Sequence, residues 1–402
     1  MRPAILSNIV YHLRAGKARV LLSMLLLCTV ALPARAMDID AKAKEFDRYF
    51  RQMMAGKSIP GGAYVIVDGN RVVAMDTYGV RIRGKAGKVD RDTIFRLASV
   101  SKTFAASMAT VLEHENRFNW SDKVVNYVPE LSFKTPSMSR QLQVEHLLSH
   151  SSGLTPNAYD DYLESNTPLS KILPKFANID PRCTPGKCYG YQNVLFSLIE
   201  DVILQTTGST YAKQLKSRIF SPLNMQNASV GWESFMASDN RAAPHVQTGS
   251  GWRPVKVEKE YYFAAPAAGV NASISDMAQW LKAQMGYYPK VLTPAMIEDM
   301  TTERVSTQRH MRHRIWRDYL SHAGYGLGWR LYTIGDDRII YHGGWVAGFR
   351  AAVAYSEKLK IGIAILMNAE SRVISDLTAN FVIDITGKDK AATLKAKASR
   401  KR

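Results

Sequence analysis

Ser99-Val100-Ser101-Lys102 sets a hydroxyl and an amine three residues apart, directly after Phe95-Arg96-Leu97-Ala98. The stretch runs into residues 103–114, where Phe104, Met108, Val111 and Leu112 recur at helical spacing. Residues three apart on a helix share a face. Ser99 and Lys102 are therefore expected as neighbours at a helix N-terminus, where free N–H groups and the helix dipole favour a developing oxyanion. A serine hydroxyl attacks poorly until a base takes its proton, and a lysine stripped of water can be that base because burial disfavours its charged form. The pair is sufficient to begin an acylation. A helix cap followed by a surface lysine would produce the same four residues, so further elements are needed.

A second element follows Pro185-Gly186, where Tyr189-Gly190-Tyr191-Gln192-Asn193 enters an apolar helix. Tyr191 can relay a proton to a leaving group, and the Asn193 amide can hold both the lysine and a substrate carbonyl. A packed aromatic and a helix cap would look alike, and Tyr189 competes with Tyr191 for any role. The third element is His342-Gly343-Gly344-Trp345. Small residues such as Gly344 on an edge strand let a substrate backbone approach and pair with it. The N–H groups of Trp345 and Ser99 are expected as two oxyanion donors, and His342 as a titratable positive charge beside Tyr191.

These residues need a frame. Ile39, Ala43, Phe46 and Phe50 at helical spacing predict an opening amphipathic helix. Two β-rich runs, 63–67 and 72–78, are separated by Asp68-Gly69-Asn70-Arg71, a hairpin signal. From about 95 to 323 the patterns are mostly helical, including 102–114, 144–149, 194–206 and 274–284. β-type runs return at 328–333, 338–342, 350–356 and 361–367, with a closing helix over 374–385. The expected class is α+β: an antiparallel sheet built from the two ends (37–95 and 324–386), flanked by helices, with an inserted mostly helical domain (96–323) and a cleft at the seam.

The chain of 402 residues carries a net charge of +18, which on its face suggests nucleic acid or an anionic surface. Much of that charge is terminal, in Arg2, Arg14, Lys17, Arg19 and Arg35 and in a Lys- and Arg-rich tail over 387–402 opposed only by Asp389. The body is mildly basic, without the aromatic-interleaved stripe of a nucleic-acid groove, so nucleic acid is not an expected partner. Residues 1–36 read as an export signal: a basic leader, an apolar core over 20–32, and Pro33-Ala34-Arg35-Ala36, with cleavage expected after Ala36 into the periplasm. Membrane contact would then need an uncleaved signal or the basic tail. Cys28 lies inside the apolar core after the bulky Leu27, which argues against lipidation. The remaining Cys183 and Cys188 flank a Pro-Gly turn, and in an oxidising compartment they are expected to form a disulfide; no histidine close by favours a metal instead.

Taken together and in order, these motifs resemble the serine β-lactamase and penicillin-binding-protein superfamily, in its class C-like branch. The resemblance runs from about 41 to 385 and includes the 95–104 stretch, His146-Leu147-Leu148-Ser149-His150-Ser151-Ser152-Gly153-Leu154, the turn from Pro185 to Asn193, Tyr325-Gly326-Leu327-Gly328-Trp329, and 342–349. It implies a covalent acyl-enzyme without metal or cofactor. It also implies Ser99 as nucleophile, Lys102 as activating base, Tyr191 as general base or acid and Asn193 as substrate amide ligand, with the run containing His146 and His150 supporting the helical part.

One departure stands out. Dedicated class C enzymes carry Lys-Thr-Gly where this chain has His342-Gly343-Gly344, so the cation and hydroxyl that engage an antibiotic carboxylate are missing. The reading is thus an exported serine hydrolase acting on cell-wall-type D-amino-acid peptides or small esters, with a β-lactamase or a non-hydrolytic penicillin-binding module as alternatives. A basic run, Arg309-His310-Met311-Arg312-His313-Arg314-Ile315-Trp316-Arg317, either draws an anionic substrate to the rim or is a solvated face.

Overall fold

The structure, a computed structural model, describes residues 37–312 and 315–387. The leader over 1–36 and the tail from 388 lie outside the described residues, as do His313 and Arg314 of the basic run.

The opening helix α1 (Ile39–Gly56) starts at Asp38, whose carboxylate accepts from the Ala41 N–H at 3.0 Å. Its buried stripe is Ile39, Ala43, Phe46, Phe50 and Met54, the face expected from spacing. Phe46 and Phe50 pack edge-on against Tyr64, at 5.0 and 4.8 Å between centroids, and Phe46 meets Phe381 of the closing helix Val373–Ile385 at 5.5 Å. The two ends of the stretch of described residues therefore share one layer.

Strands β1 (Gly61–Asp68) and β2 (Arg71–Gly79) form the expected hairpin. Short strands follow: β3 (Phe95–Arg96), β4 (Ser229–Val230), β5 (His245–Thr248), β6 (Gly251–Pro254), β7 (Val270–Ala272) and β8 (Val305–Ser306). Then come β9 (His322–Tyr325), β10 (Arg330–Ile334), β11 (Asp337–Val346), β12 (Phe349–Ser356) and β13 (Ile361–Met367). The main sheet has eight antiparallel strands in the order β2-β1-β13-β12-β11-β10-β9-β8. Its N-terminal hairpin joins the C-terminal meander through β1 and β13, from Gly62 opposite Met367 to Asp68 opposite Ile361.

The fold is α+β, and in detail it departs from the expected partition. β8 and β9 belong to the main sheet, although β8 and the first half of β9 fall in the stretch read as helical. A three-stranded sheet β3-β7-β4 and the β5-β6 hairpin also interrupt that stretch. Strands of two to four residues are too short for an alternation pattern to register. Among the described residues no helix is long and apolar enough to cross a membrane.

Helix α2 (Ser101–His114) is buried on every side from Ser101 to Leu112, so it runs through the core and not along a surface. Two of its hydroxyls are satisfied within the helix: Ser107 donates to the Thr103 carbonyl and Thr110 to that of Ala106, each at 2.9 Å. Trp280, on the helix Ile274–Gln284, stacks on Phe104 at 3.9 Å and donates to Thr103 Oγ1 at 3.1 Å. Gly328 passes against α2 at φ +71°, where a Cβ would lie 2.6 Å from the Lys102 carbonyl oxygen; only glycine fits.

Candidate active site

Ser99 reaches the surface at the end of a buried segment. Leu97 N–H donates to the Val270 carbonyl at 3.0 Å, tying the segment to β7. Ala98 then adopts φ +48°, a left-handed conformation that costs a non-glycine residue energy and persists where the surroundings enforce it. Ser99 lies in a 3₁₀ turn, Ala98–Val100, one step ahead of α2, and not in the α-helix that the spacing predicts. In a 3₁₀ turn side chains three apart eclipse. The consequence expected from the sequence survives by this route: Lys102 Nζ lies 3.5 Å from Ser99 Oγ.

Lys102 is fully buried, and burial drives its pKa well below 10.5; Asp160 opposes the shift and Arg330 adds to it. Its Nζ donates to Asn193 Oδ1 at 2.7 Å and to the Ala267 carbonyl at 3.0 Å. A neutral amine has two hydrogens and one lone pair. In that neutral form the two acceptors would take the hydrogens and the lone pair would be left for Ser99.

Tyr191 and Asn193 are held by the loop that carries the cysteines. Cys183 and Cys188 are joined in a disulfide, and Gly186 N–H donates to the Ser151 carbonyl while Gly190 N–H donates to that of His150, at 2.7 and 2.8 Å. The run from His146 to Leu154 is thus the floor on which the turn rests. His150 is buried, its ring 4.1 Å from that of Tyr191, and burial holds its pKa well below 6.5. His146 is likewise held down to about 4 by burial. Tyr191 covers Lys102, its ring centroid 4.8 Å from Nζ, and hydrogen-bonds to Ser99. Burial raises its pKa, while Arg330 and the Ser99 bond pull it back. Tyr189 lies one step out, against His310 and Tyr325.

The bridge closes a loop only five residues apart in sequence, so a chain-entropy estimate assigns it about 2 kcal/mol. Cys183→Ser/Cys188→Ser is expected to lower the melting temperature and to reduce turnover by loosening Tyr191. Differential scanning calorimetry and steady-state rates on both forms check this; unchanged values for both would contradict it.

The third element lies beside Ser99 on a strand edge. β11 pairs with β10 only as far as Tyr341, opposite Arg330, so 342–346 has a strand partner on the β12 side alone. Gly344 passes so close to the Ser99 turn that a Cβ there would lie 2.2 Å from the Leu97 carbonyl oxygen. Trp345 points to solvent at 60% exposure, with Arg350 over its ring at 4.7 Å.

His342 corrects the sequence reading. It is fully buried on the opposite face of β11 from Tyr341, Gly343 and Trp345. Its Nδ1 bonds to the Gly343 carbonyl and its Nε2 to the Tyr325 hydroxyl, both at 3.0 Å. A carbonyl only accepts, so Nδ1 carries the hydrogen and Nε2 accepts. Burial, then Arg330 and Lys102, push its pKa well below 6.5, so it is a neutral strut and not a positive charge beside Tyr191.

A cation in the cleft comes from a residue that the sequence did not single out. Ser99, Tyr191, Asn193, Gly344 and Trp345 line one cleft of about 670 Å³, whose sheet side presents Arg330, Tyr341 and Arg350. Arg330 donates to His310 Nε2 at 2.7 Å and to the Tyr189 hydroxyl at 3.4 Å. Among the described residues no carboxylate pairs with it. Burial opposes its charge, while the electron-rich rings of Tyr191 and Tyr325, 5.4 and 5.8 Å from the guanidinium carbon, favour it. His310 and Trp316 bring part of the basic run to the cleft. Asp160 is the second unforeseen residue: it lines the cleft, accepts from Asn193 Nδ2 at 2.8 Å, and burial lifts its carboxyl to about 6. Among the described residues, one cluster has metal-ligand types, Glu113, His114 and Asp299, but Asp299 is engaged by Trp120 Nε1 at 2.8 Å and by Arg304.

The Beta-lactamase family model matches residues 46–387. Protein flp of Staphylococcus aureus (strain NCTC 8325 / PS 47) is 22% identical over 339 residues, 84% of this chain and 65% of that protein. The unguisins hydrolase ungD' of Aspergillus campestris (strain IBT 28561) is 23% identical over 364 residues, 86% of this chain and 64% of that protein. The chain thus spans less than two thirds of the length of both relatives. In three dimensions it resembles the octameric penicillin-binding protein homologue from Pyrococcus abyssi, with a TM-score of 0.75 at 21% identity over 88% of this chain and 78% of that one.

Proposed function

The chain belongs to the Beta-lactamase family, and from that premise we propose that it is an exported serine hydrolase that forms an acyl-enzyme at Ser99 on ester or amide substrates. The observation that carries this reading is the buried Lys102 amine, whose two hydrogens are committed to Asn193 and Ala267 and whose third neighbour is Ser99 Oγ. Ser99 Oγ attacks the carbonyl carbon as its proton passes to Lys102 Nζ. The oxyanion is met by the N–H groups of Ser99 and Trp345. Tyr191, a neutral phenol at ordinary pH, protonates the leaving group and is reprotonated by the Lys102 ammonium. Water then releases the acyl group, giving up its proton to the same pair. Lys102 is the base and Tyr191 the donor because burial moves an amine down and a phenol up.

Arg330 and Arg350 favour a substrate with a carboxylate, as in cell-wall-type peptides ending in a D-amino acid. Arg330 also supplies the cation absent from β11, which keeps β-lactam hydrolysis as a second reading. Export follows from the leader over 1–36, and the Cys183–Cys188 bond suits an oxidising compartment. The relative named a hydrolase supports the reaction class.

A panel of p-nitrophenyl esters, a D-Ala-D-Ala peptide and nitrocefin, run beside labelling with a fluorescent penicillin, tests this reading. Turnover of at least one substrate above the Ser99→Ala background is expected, and Arg330→Ala should raise KM for the carboxylate-bearing substrates more than for neutral esters. Labelling without turnover would favour a penicillin-binding module; neither labelling nor turnover would overturn the proposal.

A further inference from the structure

Asn193 stands between two groups of opposite character. Its Oδ1 accepts from Lys102 Nζ at 2.7 Å and its Nδ2 donates to Asp160 Oδ2 at 2.8 Å. A primary amide can present either end to a neighbour, so the end that faces the lysine is decided by what lies on the other side. An ionised carboxylate only accepts, so it admits the NH₂ end alone and leaves the carbonyl end for Lys102.

We propose that Asp160 is a positioning residue for acyl transfer: by fixing the Asn193 amide, it makes Lys102 spend a hydrogen on Oδ1 and keeps the lysine lone pair turned to Ser99. With the amide reversed, the NH₂ group would donate into that lone pair and the base would be blocked. The proposal rests on the Ser99–Lys102 reading above.

The surroundings of Asp160 fit this task. It opens the short helix Asp160–Glu164 beside the helix Asn193–Ser197, and its other oxygen, Oδ1, is buried without a partner. The preceding Tyr159 is held at φ +65° while its hydroxyl donates to the Lys175 carbonyl at 2.6 Å, which fixes the start of that helix. Among the described residues Asn193 is thus the hydrogen-bond partner of the Asp160 side chain. The charged and titratable groups facing Asp160 are Asp161 and Glu164 on its own helix, Lys102 from α2, and Tyr191 and Tyr261 from the loops packed against it. Burial lifts its carboxyl to about 6, against the pull of Asn193 and Lys102. Below that pH the group gains a hydrogen, can donate as well as accept, and no longer selects one end of the amide.

Asp160→Asn, made in the full chain, is the test, because an amide in place of the carboxylate accepts either orientation of Asn193. Fluorophosphonate acylation and kcat on a neutral p-nitrophenyl ester are expected to fall roughly 10- to 100-fold with KM unchanged. The acidic limb of the wild-type kcat profile near pH 6 should disappear, and Asp160→Glu should recover part of the rate. An unchanged rate and profile would overturn the proposal, as would an effect confined to KM, which would make Asp160 a substrate contact. Circular dichroism verifies folding; should Asp160→Asn not fold, Asp160→Glu alone carries the test, through a lowered kcat at unchanged KM or the absence of that change. Failure of the hydrolase reading is separate: there the wild type itself would acylate no faster than Ser99→Ala.

Discussion

Ser99→Ala is expected to lower kcat/KM by roughly 10⁴-fold or more on every substrate the wild type turns over, since removing a nucleophile removes the covalent route and leaves only what the cleft contributes by binding and oxyanion stabilisation. The fold should be untouched. The Ser99 side chain is only half-buried, and its hydrogen bonds are to Lys102 and Tyr191. A residual rate within a few turnovers of wild type would mean that Ser101, two residues on, or another group carries the reaction. Ser101 is a poor candidate, because its buried Oγ accepts from the Val270 N–H at 2.9 Å and has a structural use.

Lys102→Met is expected to reduce acylation by roughly 100- to 10,000-fold, the span typical of a lost general base. It has a second signature, in the pH dependence of stability. The folded-state pKa of Lys102 lies below its unfolded value of 10.5, so between the two the unfolded chain binds more protons and stability rises with pH. Methionine has no such proton. The melting temperature of the wild type should therefore climb more between pH 7 and 10 than that of the variant, whatever the offset caused by leaving Asn193 Oδ1 and the Ala267 carbonyl without their donor. Parallel profiles would indicate a lysine that stays charged in the fold and cannot act as the base.

The parts of this site legible in the sequence are those whose geometry is local. Three residues separate Ser99 from Lys102, and both an α-turn and the 3₁₀ turn actually formed bring such a pair together. Tyr191 and Asn193 were legible because Pro185-Gly186 and the cysteines announce a turn feeding a helix. The termini could be assigned to one sheet because β-rich runs lie at both ends with helical patterns between them. His342 departs from its expected place although strand alternation sets it on the face opposite Trp345, the face toward the core.

Arg330 and Asp160 carry no local signature. Arg330 follows Trp329 on β10, and its meaning comes from four tyrosines on other segments and the lack of a paired carboxylate among the described residues. Asp160 sits in a polar stretch with Tyr159 and Asp161, and nothing in that pattern says that its carboxylate will meet a residue thirty-three positions later. Long-range encounters of this kind follow from how the helices pack around α2, which a single sequence does not encode in any short window.

Incubating the protein with benzylpenicillin or an activated ester, quenching in acid and fragmenting the tryptic peptide of residues 97–102 tests the central claim most directly. An acyl adduct on Ser99, absent from Ser99→Ala, is the predicted result. An adduct on Ser101 or on any residue outside that peptide, or none at all while hydrolysis proceeds, would contradict it.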